Sequence, residues 1–206
     1  MPPRRRPPPE SEGPGRDTRS RILAAARELA VEKGFDAFTV EKVAEAAGVS
    51  RMTVYYQFGS KQELLEALFD QLAERGGMER LAAAMKREDP LDSLAGVIAV
   101  FCAFWASDRV AIRRLRSWGG LRPAEAGSDA LERDAWRRGA LESVVRRIAQ
   151  RHGKPTKRDV NDAVDLLQVL TSFESYDVLA RDGRREHALA RLLERTARAI
   201  LGVEAD

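Results

Sequence analysis

The sequence predicts an all-α fold, and three features of its pattern support this prediction. From Thr18 onward, apolar residues recur at the spacing of about 3.6 residues that an amphipathic helix requires. No stretch alternates between apolar and polar residues for long enough to form a β-strand. Capping residues, glycines and prolines divide the chain into helical segments. We therefore expect about nine helices, arranged as a three-helix amino-terminal domain over residues 17–66 and a larger helical bundle over residues 67–206.

The first 16 residues differ in composition from the rest of the chain. They contain six of the nine prolines and four arginines, a composition that cannot build a regular helix or strand. We expect a disordered basic arm over residues 1–16. Two roles are compatible with it: a solubilising tail or start-site artefact, or an arm that contacts DNA as the arms of homeodomains do.

Four helices are predicted in the amino-terminal part of the chain. Their boundaries follow from residues that cap a helix start and from glycines that end a helix. The predicted helices run from Thr18 to near Gly34, from Thr39 to Gly48, from Ser50 to about Gln57, and onward from a capping box at Ser60 and Glu63.

The remaining helices form the predicted bundle, after a bend or a break at the Gly76-Gly77 pair. They are a short helix up to Lys86, then Leu91 to about Asp108, Arg109 to Trp118, Asp129 to His152, Thr156 to Arg181 and Arg184 to Leu201. A loop is expected from Trp118 to Gly127. The helix from Leu91 to Asp108 is apolar almost all round, which is typical of a helix inside a bundle.

Composition excludes several classes of protein. With 44% hydrophobic and 33% charged residues among 206, the chain is typical of a soluble globular protein. A single cysteine, Cys102, cannot form an intramolecular disulfide and is expected in the core. The two histidines are His152 and His187, and HExxH, GxSxG and glycine-rich phosphate-binding motifs are absent, so we expect no enzyme, no cofactor and no metal site. The longest uncharged apolar run, Val97 to Ala106, is too short to span a bilayer, so we expect a cytoplasmic protein without a membrane partner.

The charge pattern permits a nucleic-acid partner. The formal net charge of +3 is too small to require one, and residues 1–66 carry 11 basic against 10 acidic side chains. The segment from Ala46 to Gln62, however, contains Arg51 and Lys61 and no acidic side chain. A phosphate backbone could approach this short surface without repulsion.

Residues 39–61, TVEKVAEAAGVSRMTVYYQFGSK, have the pattern of a helix-turn-helix. The Ala46-Ala47 pair lets two helices cross closely, Gly48 permits the positive φ of a tight turn, and Ser50 starts the second helix. That second helix carries polar or amphipathic side chains where core packing alone would favour apolar ones. They are Arg51, Thr53, Tyr55, Tyr56 and Gln57.

At these residues the chain resembles the TetR (tetracycline-repressor) family of bacterial transcription regulators. The resemblance runs from Thr18 to about Leu65, through ILAAARELAVEKGFDAFTV, VAEAAGVS and TVYYQFGSKQELL. It covers about a quarter of the chain, whereas the rest matches only in size and helicity. One departure is Gln57, where the family often has a histidine or another basic or aromatic residue. Gln57 retains a hydrogen bond to phosphate but not a positive charge.

The resemblance implies a role for individual residues of the motif. Thr39 is expected to contact a phosphate, to act as a plain helix cap, or both. Ser50, Arg51 and Thr53 are expected to reach base edges, with Arg51 able to bind a guanine through two hydrogen bonds. Tyr55, Gln57 and Lys61 are expected to hold phosphates. For Tyr56 both packing and DNA contact stay open, and Phe58 is expected in the core.

For the carboxy-terminal body, the resemblance implies ligand binding and dimerisation. Bulky aromatic side chains can line a cavity for a large apolar ligand, although ordinary core packing is the alternative for each of them. The residues expected at the pocket are Phe101, Phe104, Trp105, Trp118, Phe173 and Tyr176. The residues expected at a homodimer interface of the last two helices are Leu166, Leu170, Leu189, Leu192 and Leu193.

These expectations combine into one functional hypothesis and one alternative. The hypothesis is a homodimeric repressor that binds a palindromic double-stranded DNA operator and is released from it by a small hydrophobic ligand. The alternative is a dimeric architectural DNA-binding protein that senses no small molecule. A ligand that stabilises the body and releases DNA would distinguish them.

Overall fold

The computed structural model describes residues 14–34, 38–121, 129–152 and 157–203, and side chains for 17–34, 38–117, 133–152 and 159–203 of these. It confirms the all-α class: eleven α-helices and no strand occur in these ranges. The helices are α1 (Pro14–Lys33), α2 (Val40–Ala47), α3 (Arg51–Phe58), α4 (Lys61–Arg75), α5 (Leu81–Met85), α6 (Pro90–Ser107), α7 (Arg109–Leu121), α8 (Asp129–His152), α9 (Lys157–Leu170), α10 (Phe173–Leu179) and α11 (Glu186–Ile200). A 3₁₀ turn, Met78–Arg80, leads into α5.

The helix predicted from Thr156 to Arg181 is two helices, and long-range hydrogen bonds explain the break. The carbonyl of Thr171 accepts a hydrogen bond from Trp105 Nε1 at 3.0 Å. Arg137, which is 6% exposed, donates to the carbonyl of Gln168 at 2.6 Å and to the hydroxyl of Thr171 at 3.2 Å. Ser172 then caps α10 by accepting from the Ser175 N–H at 3.1 Å. The backbone can therefore leave the helix without burying unsatisfied carbonyls.

Two other helix boundaries differ from the prediction. Helix α1 begins at Pro14 rather than Thr18, so the last three residues of the predicted arm are helical. Proline fits the first turn because that turn has no partner for the missing N–H. The first 13 residues of the arm lie outside the described residues.

Helix α7 continues to Leu121 and includes the Gly119-Gly120 pair, which was predicted to be loop. Glycine costs a helix about 1 kcal/mol relative to alanine and does not forbid it.

The structure has two compact units, and the first is built around the helix-turn-helix. It comprises the described residues within 1–71 and 110–130. Its core consists of apolar side chains from α1 to α4, including Ile22, Phe38, Val43 and Leu68, which are at most 1% exposed. Leu115 of α7 packs against this core. This unit therefore includes part of α7, which the sequence-based division at residue 66 assigned to the second domain.

The second unit surrounds α6, which packs against α5, α10 and α11. Its length and apolar composition would allow α6 to cross a membrane, and it is the one described helix that meets this criterion. Most of its residues are buried inside the protein, as expected for a central core helix. Cys102 lies on α6 and is 1% exposed, and its burial raises the pKa of the thiol to about 12. The predicted core position of this cysteine is confirmed.

Gly76 allows the end of α4 to approach α6 closely. A Cβ atom at Gly76 would lie 2.6 Å from the Cα of Phe104 and 2.8 Å from its ring. Backbone is less able than a side chain to move away from such a contact. The sequence predicts a bend or a break at the Gly76-Gly77 pair, and the structure also shows a tight contact at the first of the two glycines.

Replacing Gly76 with alanine is expected to lower the free energy of unfolding by about 1–3 kcal/mol, because the new methyl group overpacks the contact with Phe104. Gly139→Ala is the matched control. Gly139 lies within α8, and a methyl group added there would have open space within 4 Å, so this change is expected to stabilise by up to about 1 kcal/mol. Urea denaturation of both variants measures the difference. Equal stabilities for the two variants would contradict the close approach.

Candidate nucleic-acid interface

The turn between α2 and α3 has the local geometry that the sequence predicts. Thr39 has extended backbone and caps α2, with its hydroxyl accepting from the Lys42 N–H at 3.3 Å. Gly48 ends α2 at φ 64°, a left-handed conformation that favours glycine. The next N–H, of Val49, bonds to the carbonyl of Ala44 at 3.0 Å. These bonds fix the angle at which the chain enters α3.

Ser50 caps α3 and orders its first turn. Its hydroxyl accepts from the Thr53 N–H at 3.0 Å and lies 2.8 Å from the Thr53 hydroxyl. Val54 and Phe58, four residues apart, are 1% and 6% exposed and anchor α3 in the core of the first unit. The predicted core position of Phe58 is confirmed. One side of α3 is thereby buried, and its first turn is presented outward.

The exposed side of α3 carries Tyr56 and Met52. The side chain of Tyr56 is 88% exposed, which excludes the packing alternative left open by the sequence. Met52 is 73% exposed, and sequence analysis did not single it out. The helical spacing of the sequence indicates this position, because Met52 lies four residues before Tyr56 and therefore on the same face of the helix. Tyr55 is half-buried and packs against the core of the first unit.

Arg51 is held by two neighbours at the start of α3. Its Nη1 lies 2.9 Å from Glu41 Oε1, and its Nη2 donates to the Tyr55 hydroxyl at 3.3 Å. The hydrogen bond with Tyr55, followed by the charge of Glu41, raises the pKa of Arg51. A hydrogen bond from its own backbone, aided by the charge of Arg51, lowers the pKa of Glu41. Both side chains are more than half exposed, so the ion pair is open to competition from another anion.

The far end of α3 and the start of α4 carry the other candidate phosphate contacts. Arg19 of α1 donates to the carbonyl of Gln57 at 2.8 Å and lies over the ring of Phe58, 4.3 Å from its centroid. Sequence analysis did not single out Arg19. Ser60 caps α4 by accepting from the Glu63 N–H at 3.1 Å, as predicted. Lys61 is the first residue of α4, at the helix end that attracts anions, and its ammonium lies over the ring of Phe38, 5.9 Å from the centroid.

Comparison with known proteins identifies this arrangement. The family described as "Bacterial regulatory proteins, tetR family" matches residues 22–68, from within α1 to within α4. Residues 22–68 of this chain therefore match the DNA-binding region of the TetR family. The resemblance to this family that the sequence indicates is confirmed over these residues.

Curated relatives match part of this chain in sequence, whereas solved structures match about nine-tenths of it in fold. The chain is 38% identical over 78 residues to the HTH-type transcriptional regulator TtgR of Pseudomonas putida, which covers 38% of this chain and 36% of TtgR. The chain spans about a third of the length of the curated relatives with matches of this kind. A TetR-like transcriptional regulator from Rhodococcus sp. RHA1 has 25% identity and a TM-score of 0.64 over 90% of this chain and 96% of that one. NalD, described as the secondary repressor of the MexAB-OprM multidrug efflux pump in Pseudomonas aeruginosa, has 25% identity and a TM-score of 0.62 over 89% and 94%.

In the second unit, the aromatic residues expected at a pocket are buried. Phe101, Phe104, Trp105, Phe173 and Tyr176 are each 3–5% exposed. The ring of Trp105 lies 4.5 Å from Phe104, 5.6 Å from Phe173 and 6.5 Å from Phe101 between centroids. The side chain of Trp118 lies outside the described residues. The structure thus places three of the other predicted rings next to that of Trp105.

The residues expected at a dimer interface divide into two groups. Leu189 and Leu193 are 1% and 2% exposed, so their own chain already covers them and they offer no surface to a partner. Leu166 is 55% exposed, whereas Leu170 and Leu192 are half-buried. Val169 and Val178, which the sequence analysis did not name, are 66% and 54% exposed. An exposed apolar surface therefore exists on α9 and α10, with Leu166 as its predicted member.

Proposed function

We propose that this chain is a homodimeric, ligand-responsive transcriptional repressor of the TetR family. In this proposal residues 17–66 bind a palindromic DNA operator, and residues 67–206 bind a small hydrophobic ligand and form the dimer. The observation that carries the proposal is the presentation of α3. Its core side is anchored by Val54 and Phe58, while its amino-terminal turn is capped, outward-facing and free of acidic side chains.

This presentation suits the major groove of B-form DNA. An α-helix fits that groove, and the first residues of a recognition helix are the ones that reach base edges. Ser50, Arg51 and Thr53 occupy these positions with hydroxyl and guanidinium groups. Arg51 would exchange the carboxylate of Glu41 for the O6 and N7 atoms of a guanine. The exposed Tyr56 extends the same surface by one turn.

Residues at both ends of the motif would fix the helix against the DNA backbone. Thr39 lies at the amino end of α2 and Lys61 at that of α4, where backbone N–H groups also favour an anion. Tyr55 and Gln57 lie between them on α3. Such contacts to phosphate set register and affinity rather than sequence preference.

Selection from a pool of random double-stranded DNA tests the proposal. The purified protein should enrich a symmetrical site, with half-sites separated by roughly one helical turn. Its affinity for the selected site should exceed that for a shuffled duplex by about 10³-fold or more at physiological salt. Equal affinities for the selected and shuffled duplexes would contradict sequence-specific binding.

Glu41→Gln is expected to tighten binding to the selected site by about two- to fivefold, because it removes the carboxylate that competes with DNA for Arg51. Glu45→Gln is the matched control, since it removes an equal charge from the same helix without touching the ion pair. Fluorescence anisotropy at several salt concentrations measures both affinities. If both variants gain the same DNA affinity, or if Glu41→Gln weakens binding, Glu41 does not compete with DNA for Arg51.

The aromatic cluster around Trp105 supports the ligand-sensing part of the proposal. Rings in contact at the centre of the second unit could separate to admit an apolar molecule, because their packing contacts would be replaced by contacts with the ligand.

A thermal-shift screen with hydrophobic compounds separates sensing from the architectural alternative. A sensor has at least one compound that raises the melting temperature and weakens binding to the selected DNA. Trp105→Ala should change which compounds have this effect. Failure of every compound to alter DNA affinity would leave the architectural protein as the function.

A further inference from the structure

The outermost line of α3 is apolar. Met52 and Tyr56 lie one turn apart, on the side of the helix opposite the buried pair Val54 and Phe58. They are 73% and 88% exposed, and they are the only large apolar side chains exposed among the described residues of α1 to α4. The polar candidates for base contact, Ser50 and Arg51, adjoin this line at the start of the helix.

An exposed apolar line on a helix that enters the major groove has one chemical counterpart on the base edges. Thymine carries a 5-methyl group there, the only methyl group among the four bases, and the bases otherwise present mainly hydrogen-bond donors and acceptors. The flexible thioether of methionine and the flat ring of tyrosine can both cover a methyl group and exclude water from it.

We propose that Met52 and Tyr56 read thymine methyl groups in the operator, with Met52 the main specificity-determining contact. This inference rests on the proposed function, because it requires α3 to lie in the major groove. The charge pattern favours DNA over a protein partner for this surface, since residues 46–62 carry Arg51 and Lys61 and no acidic side chain. Met52 and Tyr56 would then add an apolar component to the hydrogen bonds of Arg51.

Substituting deoxyuridine for thymine tests the contact, because it removes the 5-methyl group and leaves base pairing unchanged. Each thymine of the selected site is replaced in turn, and the affinity is measured with the full-length protein. Replacement at one symmetrical position is expected to weaken binding about fourfold for one half-site and about 15-fold for both, the loss expected for one buried methyl group per half-site.

Two variants assign the effect to Met52. Met52→Gln keeps the length of the side chain but removes its apolar end, so the ratio of affinities for thymine and uracil DNA should fall to about one at the position that Met52 reads. Lys61→Ala is the control: a phosphate contact should weaken both DNAs equally and leave the ratio unchanged. Because Met52 is exposed, circular dichroism should show Met52→Gln folded like the parent.

The outcomes separate this inference from the proposed function. Sequence-specific binding that is insensitive to every deoxyuridine replacement would overturn the methyl contact while leaving DNA recognition intact. A thymine–uracil ratio that Met52→Gln does not reduce would overturn the assignment to Met52. Failure to select any DNA site would overturn both, and would assign the exposed line to another partner.

Discussion

Leu166→Asp is expected to convert the proposed homodimer into a monomer and to abolish binding to a palindromic site. Leu166 and Val169 lie exposed on α9, so an unpaired monomer leaves this apolar surface in water. An aspartate at the centre of such an interface must be desolvated without a partner, which is costly. We expect the dimer dissociation constant to rise by about 100-fold or more, with light scattering as the measurement.

Val110→Asp is the matched control for this substitution. Val110 is also an exposed apolar residue, at 44%, but lies on α7 in the first unit. Its replacement should leave the dimer intact. Leu193 is unsuitable for the test, because it is buried in its own chain and an aspartate there would destabilise the monomer itself. A parent protein that is monomeric at micromolar concentration would contradict the proposed interface.

Arg51→Ala and Lys61→Ala are expected to weaken DNA binding in different ways. Loss of Arg51 should reduce discrimination at one base pair of each half-site by about 10- to 100-fold, because two hydrogen bonds to guanine are lost. Loss of Lys61 should weaken all sequences about equally and reduce the slope of log K against log salt by about one unit per half-site. Titrations against the selected site and single-base variants, at four salt concentrations, measure both quantities.

The comparison between the two variants is the decisive part of this prediction. Arg51 reaches the major groove only if the first turn of α3 does, whereas Lys61 needs only proximity to a phosphate. If Arg51→Ala keeps the full sequence preference of the parent, α3 is not placed in the groove as proposed.

The helix boundaries of the first unit could be predicted from the sequence because they depend on local interactions. Thr39, Gly48, Ser50 and Ser60 act through hydrogen bonds or backbone angles within a few residues of themselves, and the structure has each of them as predicted. The buried pair Val54 and Phe58 follows from the helical period alone.

Long-range interactions account for what sequence analysis missed. The break after α9 depends on donors from Trp105 and Arg137, which are 66 and 34 residues away from Thr171. The amphipathic pattern of α11 predicts that Leu189 and Leu193 are buried. It does not predict whether they pack against the same chain or against a second copy. Met52 was overlooked because methionine is ordinarily a core residue and only the fold shows which side of α3 is buried.

Methylation interference on the selected operator tests most directly whether α3 reads bases in the major groove. Methylation of guanine N7 blocks that atom in this groove, and only DNA that still binds the protein is recovered. The account predicts two symmetrical clusters of interfering guanines, centred roughly one helical turn apart, and the loss of one guanine from each cluster with Arg51→Ala. Binding that tolerates N7 methylation at every guanine, or interference in a single unsymmetrical cluster, would contradict it.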